Sequence, residues 1–348
     1  TYASSLEQVK YPYTFTTTNT GGGTFSFNGQ NGDSKGHLSI DTLTVTKSIP
    51  LSYSGTLAAG DGFTLTVRTP DDSMVLAVIS YYKGKPTWTG AKDSKWEKEV
   101  NWTGITNISD ITSTSEITIN SGVSNYPEIS TNVSLKSLTI TSNARVTMTG
   151  GSLTVDKLIC TGNSNFTAKD GKVVFGNSEN SETDAEFSAD YPDNSSFCNV
   201  EVTAGKNFTS SNSMTVKGNF TSNGNTTLSS GTLTVSGTLT VSGTATVSSG
   251  AEINVNNADF SGTVTNNGEI ICGGGDVTFR GTVTNDGKIS GTTGILTFSN
   301  DVTNRGTITA GNSVNDTAAV TFSKKYAGTG GTLVGSDADS TYIDFYGD

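Results

Sequence analysis

Three apolar columns sharing one spacing, a two-residue alternation within each repeat, and Gly/Asn/Ser turns every six or so residues predict an all-β chain. Its larger part is expected to be a right-handed parallel β-helix with three-strand rungs of about 19 residues, preceded by a small β-sandwich-like N-terminal domain. In SGTVTNNGEI, RGTVTNDGKI and NDVTNRGTI, Val264, Val283 and Val302 recur at one constant step, and Ile270, Ile289 and Ile308 keep the same step. So do Phe279 and Phe298. Val320 and Phe322 follow their predecessors Leu296 and Phe298 at a longer interval, the loop GNSVND absorbing the surplus. A shared step is what stacked turns require, because each turn rests on the previous one.

Within each repeat, stretches such as TLTV, TVT and DVTFR alternate apolar and polar residues. Most are Thr, Val, Ile or Phe, the types that fit a pleated, half-buried surface. The segment GTLTVSGTLTVSGTATVSSG, residues 231–250, reads as one whole rung of three hexads, one per face. Leu233, Val235, Leu239, Val241, Ala245 and Val247 are expected to point inward, with the threonines outside. Rungs would stack in parallel ~4.8 Å apart, piling identical side chains into ladders such as Phe279, Phe298 and Phe322. Asn266, Asn285 and Asn304 share the step and predict an asparagine ladder whose amides bond from rung to rung and satisfy turn carbonyls. The glycine that follows two positions after each is expected to supply a left-handed backbone position. Glu269 lies one rung from Lys288, an opposite-charge pair worth about 0.2–1 kcal/mol. A period of this length, interrupted by loops of variable size, fits a right-handed coil better than strict hexapeptide winding.

Residues 1–86 lack this period. YPYTFTT, GTFSFNG, HLSIDTLTV, IPLSYSG, GFTLTV and MVLAVISYY, parted by Gly, Asn and Asp, suit a small antiparallel sandwich. Residues 87–133 are a Trp-rich junction holding Trp88, Trp96 and Trp102. Open solenoid ends expose apolar side chains and strand edges, so this cluster is expected to cap the first rung. Platforms for sugar rings are the alternative. The β-helix is expected over 134–348, with SLKSLTI echoed by SFCNVEV. The stretch 177–196 departs from the pattern, carrying Glu179, Glu182, Asp184, Glu186, Asp190 and Asp193 and no base. It is expected to be a solvated lateral loop, with calcium binding as the alternative, although no EF-type or nonapeptide spacing is present. No other cofactor is expected. The chain opens TYASSLEQ and ends TYIDFYGD, where Ile343 and Phe345 begin a further rung. It is therefore expected to be a monomeric fragment of a longer protein, truncated at its C-terminal end.

Charge and composition narrow the function. The 348 residues carry 21 Lys plus Arg against 32 Asp plus Glu, a net −11 that argues against nucleic-acid partners. No apolar run is long enough for a transmembrane segment. Cys160, Cys198 and Cys272 are expected to be small buried hydrophobes, with a Cys160–Cys198 bridge as the alternative in an oxidising compartment. No enzyme is expected, because catalytic groups on such a coil should stack. Asp259, Asp276, Asp286 and Asp301 do not stack on one another, and Arg280 and Arg305 fall in different columns. His37 lies outside the repeat and reads as a surface residue. Thr227, Thr246, Thr265, Thr284 and Thr303 form a column at the common step, with Thr244, Thr263 and Thr282 beside it. That array carries an ice-binding alternative, bounded by Asn225 and Asp301.

WTGAKDSKWEKEVNWTG, then NYPEIS, SLKSLTI, SFCNVEV and GTLTVSGTLTV, resembles large repetitive surface or secreted proteins of host-associated bacteria. In these, Trp-Asn-Trp segments precede pectin-lyase-like, adhesin-like β-helices. The resemblance covers roughly residues 87–348. It implies an extracellular or bacterial cell-surface location and a stalk or adhesin-like role, contacting host or matrix glycans or proteins. The lateral stretches 177–196 and 311–316 are the candidate contact loops. A polysaccharide lyase or hydrolase is the alternative.

Overall fold

The computed structural model describes residues 13–19, 24–27, 30–31, 37–40, 51–54, 62–68, 74–82, 84–105, 107–180, 184–191, 194–310, 318–335 and 342–347. The chain divides into two units, Thr1–Pro86 with Thr103–Ile105, and Thr87–Trp102 with Thr106–Asp348.

The first unit is antiparallel throughout its described pairs. Tyr13–Asn19 lies between His37–Ile40 and Gly62–Arg68, and Val75–Tyr82 completes a four-stranded sheet. Thr24–Phe27 lies between Gln30–Asn31 and Leu51–Ser54 in a second, three-stranded sheet.

In the second unit 26 strands form one continuous ladder, every described pairing parallel, wound as a β-solenoid of about 10 turns. The rung 231–250 shows how sequence becomes winding. Gly231–Val241 is one strand whose burial alternation breaks at Ser236–Thr238, so it turns a corner without a loop, and Ala245–Val247 supplies the third face. Leu233, Leu239 and Ala245 pair downward with Met214, Phe220 and Thr226, and upward with Ile253, Ala258 and Val264. All six expected inward residues are at most 2% exposed. Burying one such side chain gains about 1.5–3 kcal/mol, and every turn repeats the gain.

The constant step is a property of the register. Val264, Val283 and Val302 are mutual strand neighbours, as are Ile270, Ile289 and Ile308. Near residue 250 the step changes. Leu233 pairs with Ile253 across a longer turn, Ile253 pairs with Ile270 across a shorter one, and a bulge between Val235 and Thr238 shifts the register by one residue within the longer turn. Phe260, Phe279, Phe298, Phe322 and Phe345 stack with centroids 5.0, 4.7, 4.9 and 5.1 Å apart, matching the ~4.8 Å separation of hydrogen-bonded strands.

Three expectations are corrected. Parallel pairing starts before Ser134: Glu116–Ile119 pairs with Ser137–Ile140, and Glu128–Ile129 with Thr147–Met148. These first rungs carry few apolar residues, Ile117, Ile119 and Ile129, so their pattern is faint in sequence. The glycines after the Asn ladder have no left-handed φ. They are required by crowding, since a Cβ on Gly287 would lie 2.0 Å from the Gly268 oxygen and one on Gly306 1.9 Å from the Gly287 oxygen. Finally, 177–196 is not a loop throughout. Asp184–Ala189 is a solenoid strand pairing with Lys157–Cys160 below and Asn207–Ser210 above, with Ala185, Phe187 and Ala189 buried.

Candidate functional site

Three tryptophans pack together at the first turn. Trp88, Trp96 and Trp102 are 3%, 2% and 5% exposed, with centroids 4.7 to 6.3 Å apart and Trp102 edge-on to both partners. Trp102 Nε1 donates to the Trp96 oxygen and Trp88 Nε1 to the Asn125 oxygen, both at 2.8 Å. Asn101, fully buried, organises the turn. Its Oδ1 accepts from Lys92 N and Asp93 N, and its Nδ2 donates to Asp93 Oδ1 and the Lys95 oxygen. Lys98 bonds Asp93, and with the Asn101 amide and the Lys95 amide it holds that carboxyl far below the usual range. Lys95 extends the ladder by pairing with Glu128, and Trp96 N donates to the Glu128 oxygen at 3.1 Å. The trio thus sits on the first turn. Burial leaves its ring faces closed to a sugar, which removes the platform alternative.

Along the inner wall Asn266, Asn285 and Asn304 are fully buried. Asn266 Nδ2 donates to Asn285 Oδ1 at 2.7 Å, and Asn285 Nδ2 to Asn304 Oδ1 at 2.8 Å. Each Nδ2 also reaches a backbone carbonyl one rung on, at the first residue of a strand rather than in a turn as expected: Lys288, Thr307 and Thr332, at 3.0, 3.2 and 3.1 Å. The outer wall carries ion pairs. Lys288 meets Glu269 at 2.6 Å, Arg305 meets Asp286 at 2.5 Å, and Arg280 bonds both Asp259 oxygens. Arg305 lowers the Asp286 pKa and has its own raised in return. The Glu269–Lys288 pair is the one expected from the sequence; Asp259–Arg280 and Asp286–Arg305 are additional, the latter also one step of the repeat apart. All are solvent-facing and screened, so they add little to stability.

Thr227, Thr246, Thr265, Thr284 and Thr303 are successive register partners, and Thr209 adds a sixth member below. Thr263 and Thr282 in the neighbouring column bring their hydroxyls within 3.3 Å. This face is a regular sheet of small polar groups.

The acidic residues are dispersed. Asp184 accepts from Asn207 Nδ2 and Asp190 from Gly162 N, Glu186 lies in register with Lys157, and Glu179 follows the turn at Asn177. Glu182 and Asp193 lie outside the described residues, as does the 311–316 loop. Among the described residues no group of three or more His, Cys, Asp or Glu is placed to hold a metal. What sequence reading missed is the anchor beneath this stretch. Buried Asp156 takes Asn177 N at 2.7 Å and the Asn180 amide, while Asn177 Nδ2 donates to Ser134 Oγ and Lys206 Nζ to the Asn180 oxygen, both at 3.0 Å.

The three cysteines are free, which removes the Cys160–Cys198 bridge. Burial pushes the Cys160 thiol up to about 11 and the Cys272 thiol to about 12. Cys198 is half-buried and so departs from the buried-hydrophobe expectation. His37 begins an edge strand of the first unit, and its side chain lies outside the described residues. No described helix is long and apolar enough to cross a membrane. No protein-family model, no curated protein and no solved structure matches the chain.

Proposed function

We propose that this chain is a non-catalytic stalk module of a bacterial surface or secreted protein, pectin-lyase-like in its winding and adhesin-like in its role. The observation that carries the reading is the unbroken register of side-chain columns, above all the phenylalanine stack and the asparagine ladder. Such a stack gains stability turn by turn from neighbour contacts and lengthens without a new core. About 10 turns at ~4.8 Å each make a rod on the order of 50 Å. Lateral excursions are where recognition sits on such a scaffold. The one that leaves after Phe175 and returns at Asp184 is tied at its base by Asp156, which supports a contact role toward host or matrix glycans or proteins.

The test is binding of the purified chain to a panel of host and plant polysaccharides and matrix proteins, with and without calcium, while products are followed. Binding without turnover, lost when residues 181–183 are replaced by a short Gly-Ser turn that keeps the Asn177 and Asn180 anchor and leaves the melting temperature in place, is the expected result. Unsaturated sugar products would make the chain a lyase. Full binding by the shortened variant would move the contact elsewhere.

A further inference from the structure

Beside the tryptophan turn lies a cleft of about 260 Å³, lined by apolar Ile108, Ile111 and Val133 together with polar Glu97 and Thr131. Water occupies about 30 Å³ per molecule in the liquid, so the space admits an organic group. Glu97 Oε2 is buried and accepts no hydrogen bond. A carboxylate oxygen in that position is costly until a donor reaches it, and a full positive charge compensates it better than a hydroxyl does. Lys98, next to Glu97 in the chain, is paired with Asp93, and Lys136 is paired with Glu116.

The walls are set in advance. Asn107 and Asp110 close a reciprocal capping box around the helical turn Ile108–Asp110, and Ile108 N donates to Glu99 Oε1 at 3.2 Å. Asn132 Oδ1, beside Val133, is fixed by Ser152 N and Oγ at 3.0 and 3.1 Å. A ligand satisfying both halves of the cleft has an aliphatic stem for the isoleucines and valine and a compact cation for one carboxylate oxygen. A guanidinium fork seeks both oxygens, whereas an ammonium needs one. We propose that this cleft binds a primary alkylammonium group, the chemistry shared by a lysine side chain of a partner protein and by a free small amine. The inference stands independently of the stalk reading.

The test is isoleucine-methyl NMR on the full chain. The Ile108 and Ile111 methyls are followed while n-butylammonium chloride, n-butanol, glucose or the peptide Gly-Lys-Gly is added. Saturable shifts with butylammonium, at least tenfold stronger than with butanol, are expected. E97Q should weaken them at least tenfold while the melting temperature stays within a few degrees. Gly-Lys-Gly binding more tightly than butylammonium would assign the site to a protein lysine, and the reverse order to a free amine. Equal responses to butanol and butylammonium, unchanged binding in E97Q, or shifts with glucose but not the amine would overturn the proposal. I111W, which fills the cleft and keeps Glu97, gives the same reading should E97Q fold poorly: its butylammonium shifts should vanish, and their persistence would count against the site.

Discussion

Asn285 sits mid-ladder with a neighbour above and below, so its removal breaks two amide bonds and orphans buried groups on both sides. Asn285→Ala should cost about 2–4 kcal/mol in chemical denaturation, more than Asn266→Ala at the ladder's end. Thr226 is the converse. It points into the core between Phe208 and Ala245, and its hydroxyl is buried without a partner. Thr226→Val should stabilise the fold by about 1 kcal/mol in the same measurement. The cysteines give a pH dependence. The unfolded chain loses thiol protons near pH ~8.5, whereas the fold holds them to about 11 at Cys160 and about 12 at Cys272. Above that lower pH the unfolded state binds fewer protons, so stability falls as pH rises. Cys272→Ala should flatten the fall between pH 8 and 10, and in the native protein a thiol reagent at neutral pH should label Cys198 first. At this scale the Asn column was legible because identical residues repeat at one step. The role of Gly287 was not, because close approach to the Gly268 oxygen leaves the same mark in a sequence as a left-handed φ.

Strands were legible where they repeat and obscure where they do not. From Met214 to Thr309 the rungs keep a nearly constant step, and their inward residues could be read position by position. Before that the turns are longer and uneven. Lys157–Cys160 reaches past a whole inserted stretch to pair with Glu186–Ala189, and Lys172–Phe175 does the same to meet Asn199–Val202. A strand displaced by an insertion cannot be recognised by spacing. In Asp184–Ala189 the acids Asp184 and Glu186 face outward on an element whose core positions are Ala185, Phe187 and Ala189, so composition read as a loop. Phe187→Asp should therefore unfold these turns, at a cost of about 3–5 kcal/mol or more. Residues 181–183, beyond the Asn180 anchor, should tolerate replacement with little change in melting temperature. Hydrogen exchange that left residues 184–189 unprotected would place this strand outside the solenoid.

The solenoid depends on consistency across turns rather than on any one contact. The same alternation and glycine crowding recur, and over three turns the same inner asparagine, so each turn is a template for the next. The tryptophan turn lies against the first of them, and the hydrogen bonds around Asn101 have no counterpart in the repeat, so no spacing marks them in the sequence. Stacking of the rungs in register makes the solenoid one stiff column, which pulsed electron spin spectroscopy can measure with one label at Thr209 and a second placed in turn at Thr265, Thr284 and Thr303. Narrow distributions that lengthen by ~4.8 Å with each step along the column are the predicted result. Broad distributions, or distances that do not grow with the step, would contradict it.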